Sequence, residues 1–402
     1  MRMRVGYYAH HHGSGHCRQI DKLAALLPID ERQQLTVFTS LAPEAYAFTS
    51  IDEQQIVRLH AEDERPDDVL RGRAGEHWQP ASLHYSPVGN VDIQKRSHQI
   101  LEAIIQRQID LMIIDVSVEV AMLCRAASIP YLYVRLPGIR DDTPHLNAFD
   151  GALALLAPYP QVLEAALTPS WVCQKTLYLD FINASKKDIS TYDDFIKTLM
   201  TLTADNEVLK TLSAPAPIIT VIKGYGGHEA IDNKLPELRR LLSTAFIISL
   251  GPIGDDIRRY VDIAAHVDDV TPFMHHSDYL LMACGLNAVA QAYDHATPLV
   301  VLPDNRPHQE QEMMAQALIA QGRALSWEQF KRSMSDKSVH SNPNKRFVDQ
   351  TQNESSKVTP SLNNANYLPA AHVFMDSTMA YATAKSWFDE WLLPRLELNL
   401  ET

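Results

Sequence analysis

Apolar residues along this chain fall into short dense runs separated by amphipathic stretches and polar turns. Leu35–Thr39, 56–59, 111–114 and Tyr131–Val134 are runs of aliphatic and aromatic residues. They are too short for helices and lack the strict alternation of a half-exposed strand. Between them, 100–105 and 118–127 carry helical patterns. Such alternation predicts a mainly parallel sheet buried on both faces by helices. The pattern lapses over 204–217, where a polar helix end runs into Pro215-Ala216-Pro217. It then restarts with a strand at Ile218–Ile222, a glycine-rich turn, a helix over 235–242 and a strand at Phe246–Leu250. Further strands are expected near His266, at Tyr279–Met282 and at 299–302.

Two such series in a chain of 402 residues predict two α/β domains. The expected division is a first Rossmann-like domain over 1–180, a linker region over 181–216 and a second Rossmann-like domain over 217–330. Residues 72–90, rich in Pro, Gly and His, read as a long loop over a sheet edge. Over 331–366 the composition shifts to Ser, Asn, Lys, Asp and Thr, too polar to offset its own ordering entropy, so a polar insertion or loop is expected. Residues 367–402 carry Val373, Phe374, Met379, Trp387, Phe388 and Trp391 and read as apolar-faced helices.

The formal net charge of −13 argues against a nucleic-acid partner, which needs a basic face. Cys17, Cys124, Cys173 and Cys284 are scattered, as in a protein of a reducing cytoplasm. Polar histidines stand where a signal peptide needs its apolar core, and no apolar run reaches the roughly 20 residues of a membrane span. The expectation is a cytoplasmic protein, with peripheral contact at the inner face of the membrane left open.

Two glycine-rich turns follow strands and precede helices: Gly13-Ser14-Gly15 and Gly224-Tyr225-Gly226-Gly227. In that position backbone N–H groups can approach an anion, with the positive end of the helix dipole behind them. A ligand-free tight turn is the alternative. A nicotinamide-binding Rossmann turn is disfavoured, because Arg18 stands where a third glycine is expected and the second strand ends without a ribose-binding acid. A P-loop is excluded, since no Gly-Lys-Ser/Thr follows Lys223.

His10, His11, His12 and His16 crowd the end of the first strand. A metal is not expected there: successive strand residues face opposite ways, and no Cys or carboxylate of ligand spacing accompanies them. His16 opens a helix, where a neutral imidazole can take a proton from a hydroxyl or can simply pack at the turn. Asp115 ends a strand and either orients His16 or an acceptor, or caps the helix that begins near Ser117.

His12-Gly13-Ser14-Gly15-His16 followed by a helix resembles the N-terminal loop of the glycosyltransferases related to the peptidoglycan N-acetylglucosaminyltransferase. The segment from His266 through Cys284-Gly285-Leu286-Asn287-Ala288-Val289-Ala290-Gln291 is similar to that family's donor region, and Arg306-Pro307-His308-Gln309-Glu310-Gln311 to its sugar-contacting loop. The resemblance covers about 215–325 and, more loosely, 1–30; between them it is architectural. It implies the GT-B fold, with two Rossmann-like domains facing across a cleft, acceptor in the first and nucleotide-sugar in the second, and with C-terminal helices packing back toward the first domain. Gln291 falls at the family's ribose-binding acid, keeping hydrogen-bonding capacity but not charge. Cys284 replaces a Ser or Gly, and Ala288 a Thr-like residue. Over 279–293 there is no carboxylate, so the paired glutamates of retaining relatives are missing and inversion is favoured.

The resemblance then implies an inverting, nucleotide-sugar-dependent hexosyltransferase of cell-envelope or glycan synthesis, with a UDP-sugar as favoured donor and a glycan, lipid-linked or small-molecule hydroxyl acceptor. His16 is the expected base with Asp115 behind it, and His12, Gly13, Ser14 and Gly15 form the acceptor loop. Gly224, Tyr225, Gly226 and Gly227 take the diphosphate without a metal, Val267 offers backbone contacts to the nucleobase, and Glu310 and Gln311 meet sugar hydroxyls. Cys284, Gly285, Asn287, Gln291 and Arg306 complete the donor side, and Lys223 is a candidate phosphate partner or a solvated surface charge. No cofactor is expected. The competing readings are a sugar-nucleotide 2-epimerase of the same architecture, disfavoured for want of extra acids and bases, and a non-catalytic sugar-nucleotide-binding protein, to which Gln291 and Ala288 lend weight.

Overall fold

The apolar runs are strands because each is covered on both faces. In this computed structural model, which describes residues 3–10, 14–61, 80–86, 89–181, 190–203, 216–224 and 228–337, they assemble into two sheets. The first contains β1 (Val5–Tyr8), β2 (Leu35–Thr39), β3 (Ile56–Arg58), β4 (Leu111–Asp115), β5 (Tyr131–Val134), β6 (Ala154–Ala157) and β7 (Thr176–Tyr178), in the order β3-β2-β1-β4-β5-β6-β7. The second contains β8 (Ile218–Ile222), β9 (Phe246–Leu250), β10 (Ile263–Ala265), β11 (Tyr279–Met282), β12 (Leu299–Val301) and β13 (Ala324–Ser326), in the order β10-β9-β8-β11-β12-β13. Every pairing is parallel. All residues of β1, β2, β4, β5, β9, β11 and β12 are buried, which explains why these strands read as unbroken apolar runs.

Successive residues divide between the two faces. In the first sheet Tyr7, Val37, Ile113 and Leu132 join one core, and Tyr8, Phe38, Ile114 and Tyr133 the other. In the second, Val221, Ile247, Leu281 and Val300 pack on one side, and Leu280, Met282, Leu299 and Val301 on the other. That last core is shared: Ala157, Tyr159, Leu163 and Phe181 of the first half pack with Met314, Ala315 and Leu318 of the second. The halves therefore meet through an apolar seam.

Two boundaries differ from the sequence expectation. Within the expected linker, Tyr192–Leu202 is a helix that buries Phe195 and Leu199 against Phe246 and Ile248 of β9 and Phe273 of the helix Thr271–His276. Its start is a capping box in which the side chains of Thr191 and Asp194 serve each other's backbone. The helix Trp327–Lys337 carries regular structure past 330, anchored by buried Trp327 and Phe330. Most of the expected 72–90 loop, residues 204–215, the polar segment beyond 337 and the C-terminal helices lie outside the described residues. No helix among the described residues is long and apolar enough to cross a membrane.

Candidate active site

Open parallel sheets bind ligands beyond the carboxyl ends of the strands, at the point where strand order reverses. In the first sheet that point lies between β1 and β4, and in the second between β8 and β11. Of the expected site residues, His16 and Asp115 follow the strands that flank the first point, and Gly224, Cys284, Gly285, Asn287 and Gln291 follow those that flank the second.

Beyond β1, the helix Gly15–Leu26 places His16 in its first turn, and β4 ends on Asp115. Because β1 and β4 are adjacent, with Tyr8 paired to Ile114, the two side chains meet: His16 Nδ1 lies 2.9 Å from Asp115 Oδ2. Tyr7 donates its hydroxyl to the same oxygen at 3.0 Å. Asp115 is buried, and its Oδ1 has no hydrogen-bond partner among the described residues. The helix Val118–Ala126 is capped by Ser117, whose Oγ accepts from Val120 N, so the capping alternative for Asp115 falls away.

A carboxylate only accepts, so in the neutral ring His16 Nδ1 carries the proton and Nε2 keeps its lone pair. Burial pulls the His16 pKa down; the charge and hydrogen bond of Asp115 and the charge of Glu310 outweigh it, and the pKa ends above its ordinary value. Burial likewise raises the Glu310 pKa, against the pull of Arg140 and His16.

The second domain closes on this pair. A Cβ on Gly15 would lie 3.6 Å from Asn287 Nδ2, which brings the two reversal points together. Arg140 Nη2 of the first domain meets Glu310 Oε2 of the second at 3.5 Å. Ile139 N donates to His308 O at 2.7 Å. Gly138 permits that approach: its φ is +111°, and a Cβ there would stand 2.5 Å from the His308 carbonyl oxygen.

Of the residues expected on the donor side, Gly224 lies two residues past β8 and is exposed, while Tyr225, Gly226 and Gly227, like His12 and Gly13 in the other turn, lie outside the described residues. The helix behind that turn, Glu229–Asp232, is a single turn, and Ala230 N already donates to Asp304 Oδ1 at 2.7 Å. The expected dipole contribution is correspondingly small. Lys223 is neither a phosphate ligand nor a surface charge: it is buried, with Nζ 2.8 Å from Asp232 Oδ1.

Beyond β11, Cys284 is buried with φ +66°, in the left-handed region that residues other than glycine seldom adopt. Gly285 caps the helix Leu286–Ala292 and has open space where a side chain would be. Asn287 and Gln291 are partly buried one turn apart on that helix. Val267 is partly buried and Arg306 exposed. Gln311 is buried and uses Oε1 to accept from Asp304 N at 2.9 Å, bracing the loop between β12 and the helix Glu310–Ala320. That bond occupies one lone pair of Oε1 and leaves the Nε2 group of Gln311 to donate.

The sequence matches no protein-family model and no curated protein. Solved structures do resemble the chain. MurG of Acinetobacter baumannii superposes with a TM-score of 0.52 at 13% identity, over 84% of this chain and 88% of its own. Spinosyn forosaminyltransferase SpnP gives 0.53 at 11%, over 84% and 92%. A structure described as a UDP-N-acetylglucosamine 2-epimerase from Listeria monocytogenes gives 0.52 at 12%, over 84% and 87%. The fold is GT-B. At these identities the likeness reaches the architecture alone.

Within this GT-B frame the structure adds residues that sequence reading misses. Tyr7 reads only as a core residue, yet it steadies Asp115. Arg140 sits in a loop, and only tertiary structure brings it to Glu310, 170 positions away. Gly138, two residues ahead of it, is the visible signal of a close approach.

Proposed function

We propose that this GT-B chain is an inverting glycosyltransferase that moves a sugar from a nucleoside-diphosphate donor, with UDP-sugars the favoured class, to a hydroxyl acceptor in envelope or glycan synthesis. The observation that carries the reading is the His16–Asp115 pair at the first reversal point, facing the second across the cleft. His16 Nε2 takes the acceptor hydroxyl proton as the acceptor oxygen forms its bond to the sugar's anomeric carbon. The bond from that carbon to the diphosphate breaks, and the electron pair leaves with the diphosphate. Asp115 fixes the imidazole tautomer and stabilises the imidazolium that forms; Tyr7 fixes Asp115. Backbone N–H groups of Gly224 to Gly227 and of the Gly285–Asn287 helix start are assigned to the diphosphate, with no metal in that step. Glu310, held by Arg140, is assigned to sugar hydroxyls.

Titration calorimetry against a panel of nucleoside diphosphates tests the reading. One member should bind, and the corresponding nucleotide sugar should be consumed in the presence of an acceptor. Binding without turnover would leave a sugar-nucleotide-binding protein instead. Gln291→Ala should weaken the preferred nucleotide by about 1 kcal/mol or more, the loss of a hydrogen bond to a partly buried partner. Unchanged affinity would remove Gln291 from the site.

The pH profile tests the base. His16 must be neutral to accept a proton, and its pKa is raised, so turnover should climb with pH through a midpoint above the ordinary histidine value. Asp115→Asn removes the charge that raises it, so the midpoint should move to lower pH and the plateau should fall. A midpoint unaffected by Asp115→Asn would detach the pair from catalysis.

A further inference from the structure

Beside the cleft, four side chains from three segments and both domains converge on one point. His84 lies in the turn over 81–86, Asp142 caps the helix Thr143–Gly151, His145 stands in the first turn of that helix, and His308 belongs to the loop ahead of Glu310. One nitrogen or oxygen of each lies within 4.8 Å of the others. The three imidazole rings are 4.5, 4.7 and 5.8 Å apart between centroids. Imidazoles do not gather this closely around one carboxylate for apolar packing, since each brings a polar edge that must be satisfied.

The partners of each ring sort their roles. His145 is buried, its Nδ1 is 2.7 Å from Asp142 Oδ2, and its Nε2 is 3.1 Å from Arg140 Nη1. A guanidinium only donates, so Nε2 accepts and the Nδ1 proton is directed at Asp142. His145 is thus a positioning residue that fixes the carboxylate. The other two rings approach Asp142 from its accessible side: His84 Nε2 is 3.0 Å from Oδ1, and His308 Nδ1 is 3.7 Å from Oδ2. Ligand atoms on a tetrahedral zinc with bonds near 2.0 Å are about 3.3 Å apart, and the two observed separations bracket that figure.

We propose that His84, Asp142 and His308 form a divalent transition-metal site that clamps the two domains together, with His145 orienting Asp142. Two imidazoles and one carboxylate suit zinc or cobalt(II), with water completing the shell, and disfavour magnesium, which prefers oxygen donors. The backbone supports the placement. His308 has φ +59°, and its carbonyl is held by Ile139 N of the first domain, so the loop presenting its ring is tied to the segment carrying Asp142. The metal would act on domain closure, two residues before Glu310, and takes no part in the proton transfer at His16.

The experiment uses the full chain, stripped with a chelator and titrated with zinc chloride by calorimetry. Cobalt(II) is added in parallel, because its visible absorption reports a low-coordinate site. One zinc per chain should bind, magnesium should give no heat, and zinc should raise the thermal midpoint. His84→Ala, on an exposed turn, and His308→Ala should each weaken binding by about 100-fold or more. His145→Gln, which keeps a donor for Asp142, should retain one zinc with about 10-fold lower affinity. Combined His10→Ala, His11→Ala and His12→Ala should leave the stoichiometry unchanged. Absence of zinc binding, binding that survives both His84→Ala and His308→Ala, or binding that disappears with the N-terminal histidine run would each overturn the proposal. Metal binding is the readout, so the result is independent of whether the chain transfers sugar.

Discussion

His16→Ala should lower turnover by about 100- to 10,000-fold while leaving nucleotide affinity almost unchanged. The separation of effects follows from architecture. His16 belongs to the helix that leaves β1, whereas the nucleotide is assigned to the second sheet. Loss of the imidazole removes the proton acceptor and leaves Asp115, among the described residues, with Tyr7 as its one side-chain donor. Turnover and nucleotide binding should be measured on the same preparation, the first with a competent acceptor and the second by calorimetry. Normal turnover in the variant would hand the proton to Asp115 or, next, to His12. A parallel loss of nucleotide affinity would instead place His16 in the donor pocket.

The largest stability effect is expected at Arg135 and Glu164. Arg135 follows β5, and its Nη1 and Nη2 lie 2.7 and 2.6 Å from the two carboxylate oxygens of Glu164 in a bidentate pair. Both side chains are almost fully buried, at 3% and 10% exposure. Tyr159, Tyr178 and Thr168 also donate their hydroxyls to Glu164. Removing one member of such a pair strands a buried charge and costs about 3–5 kcal/mol. Arg135→Ala and Glu164→Ala should therefore each lower the thermal midpoint by several degrees, and Glu164→Gln, which still accepts hydrogen bonds, should fall between them and the parent. An unchanged midpoint in both alanine variants would mean that water replaces the lost partner. Leu163, the residue before Glu164, lies in the core shared by the two halves, so the first transition on heating is expected to include their separation.

Much of the fold is legible in the sequence because parallel strands covered on both faces leave unbroken apolar runs such as Leu111–Asp115 and Phe246–Leu250. His16 stands out for a related reason: a glycine turn after such a run marks the strand's carboxyl end, where ligands bind. Other features exist only in three dimensions. His84 and Asp142 are 58 positions apart, and neither stands in a metal-binding spacing. Lys223 looks solvated beside a glycine turn, but the next helix supplies Asp232 and buries it. The helix Tyr192–Leu202 disappears into an apparent linker because its apolar face belongs to a sheet that begins later in the chain. Its Thr191–Asp194 capping box was nonetheless readable.

The contact between Ile139 and His308 is made by main-chain atoms. The grip between the halves at that point is therefore indifferent to which side chains the two positions carry. Mutational tolerance should be lopsided as a result: Ile139 can change with the hydrogen bond intact, while Gly138, next to it, admits not even one methyl group.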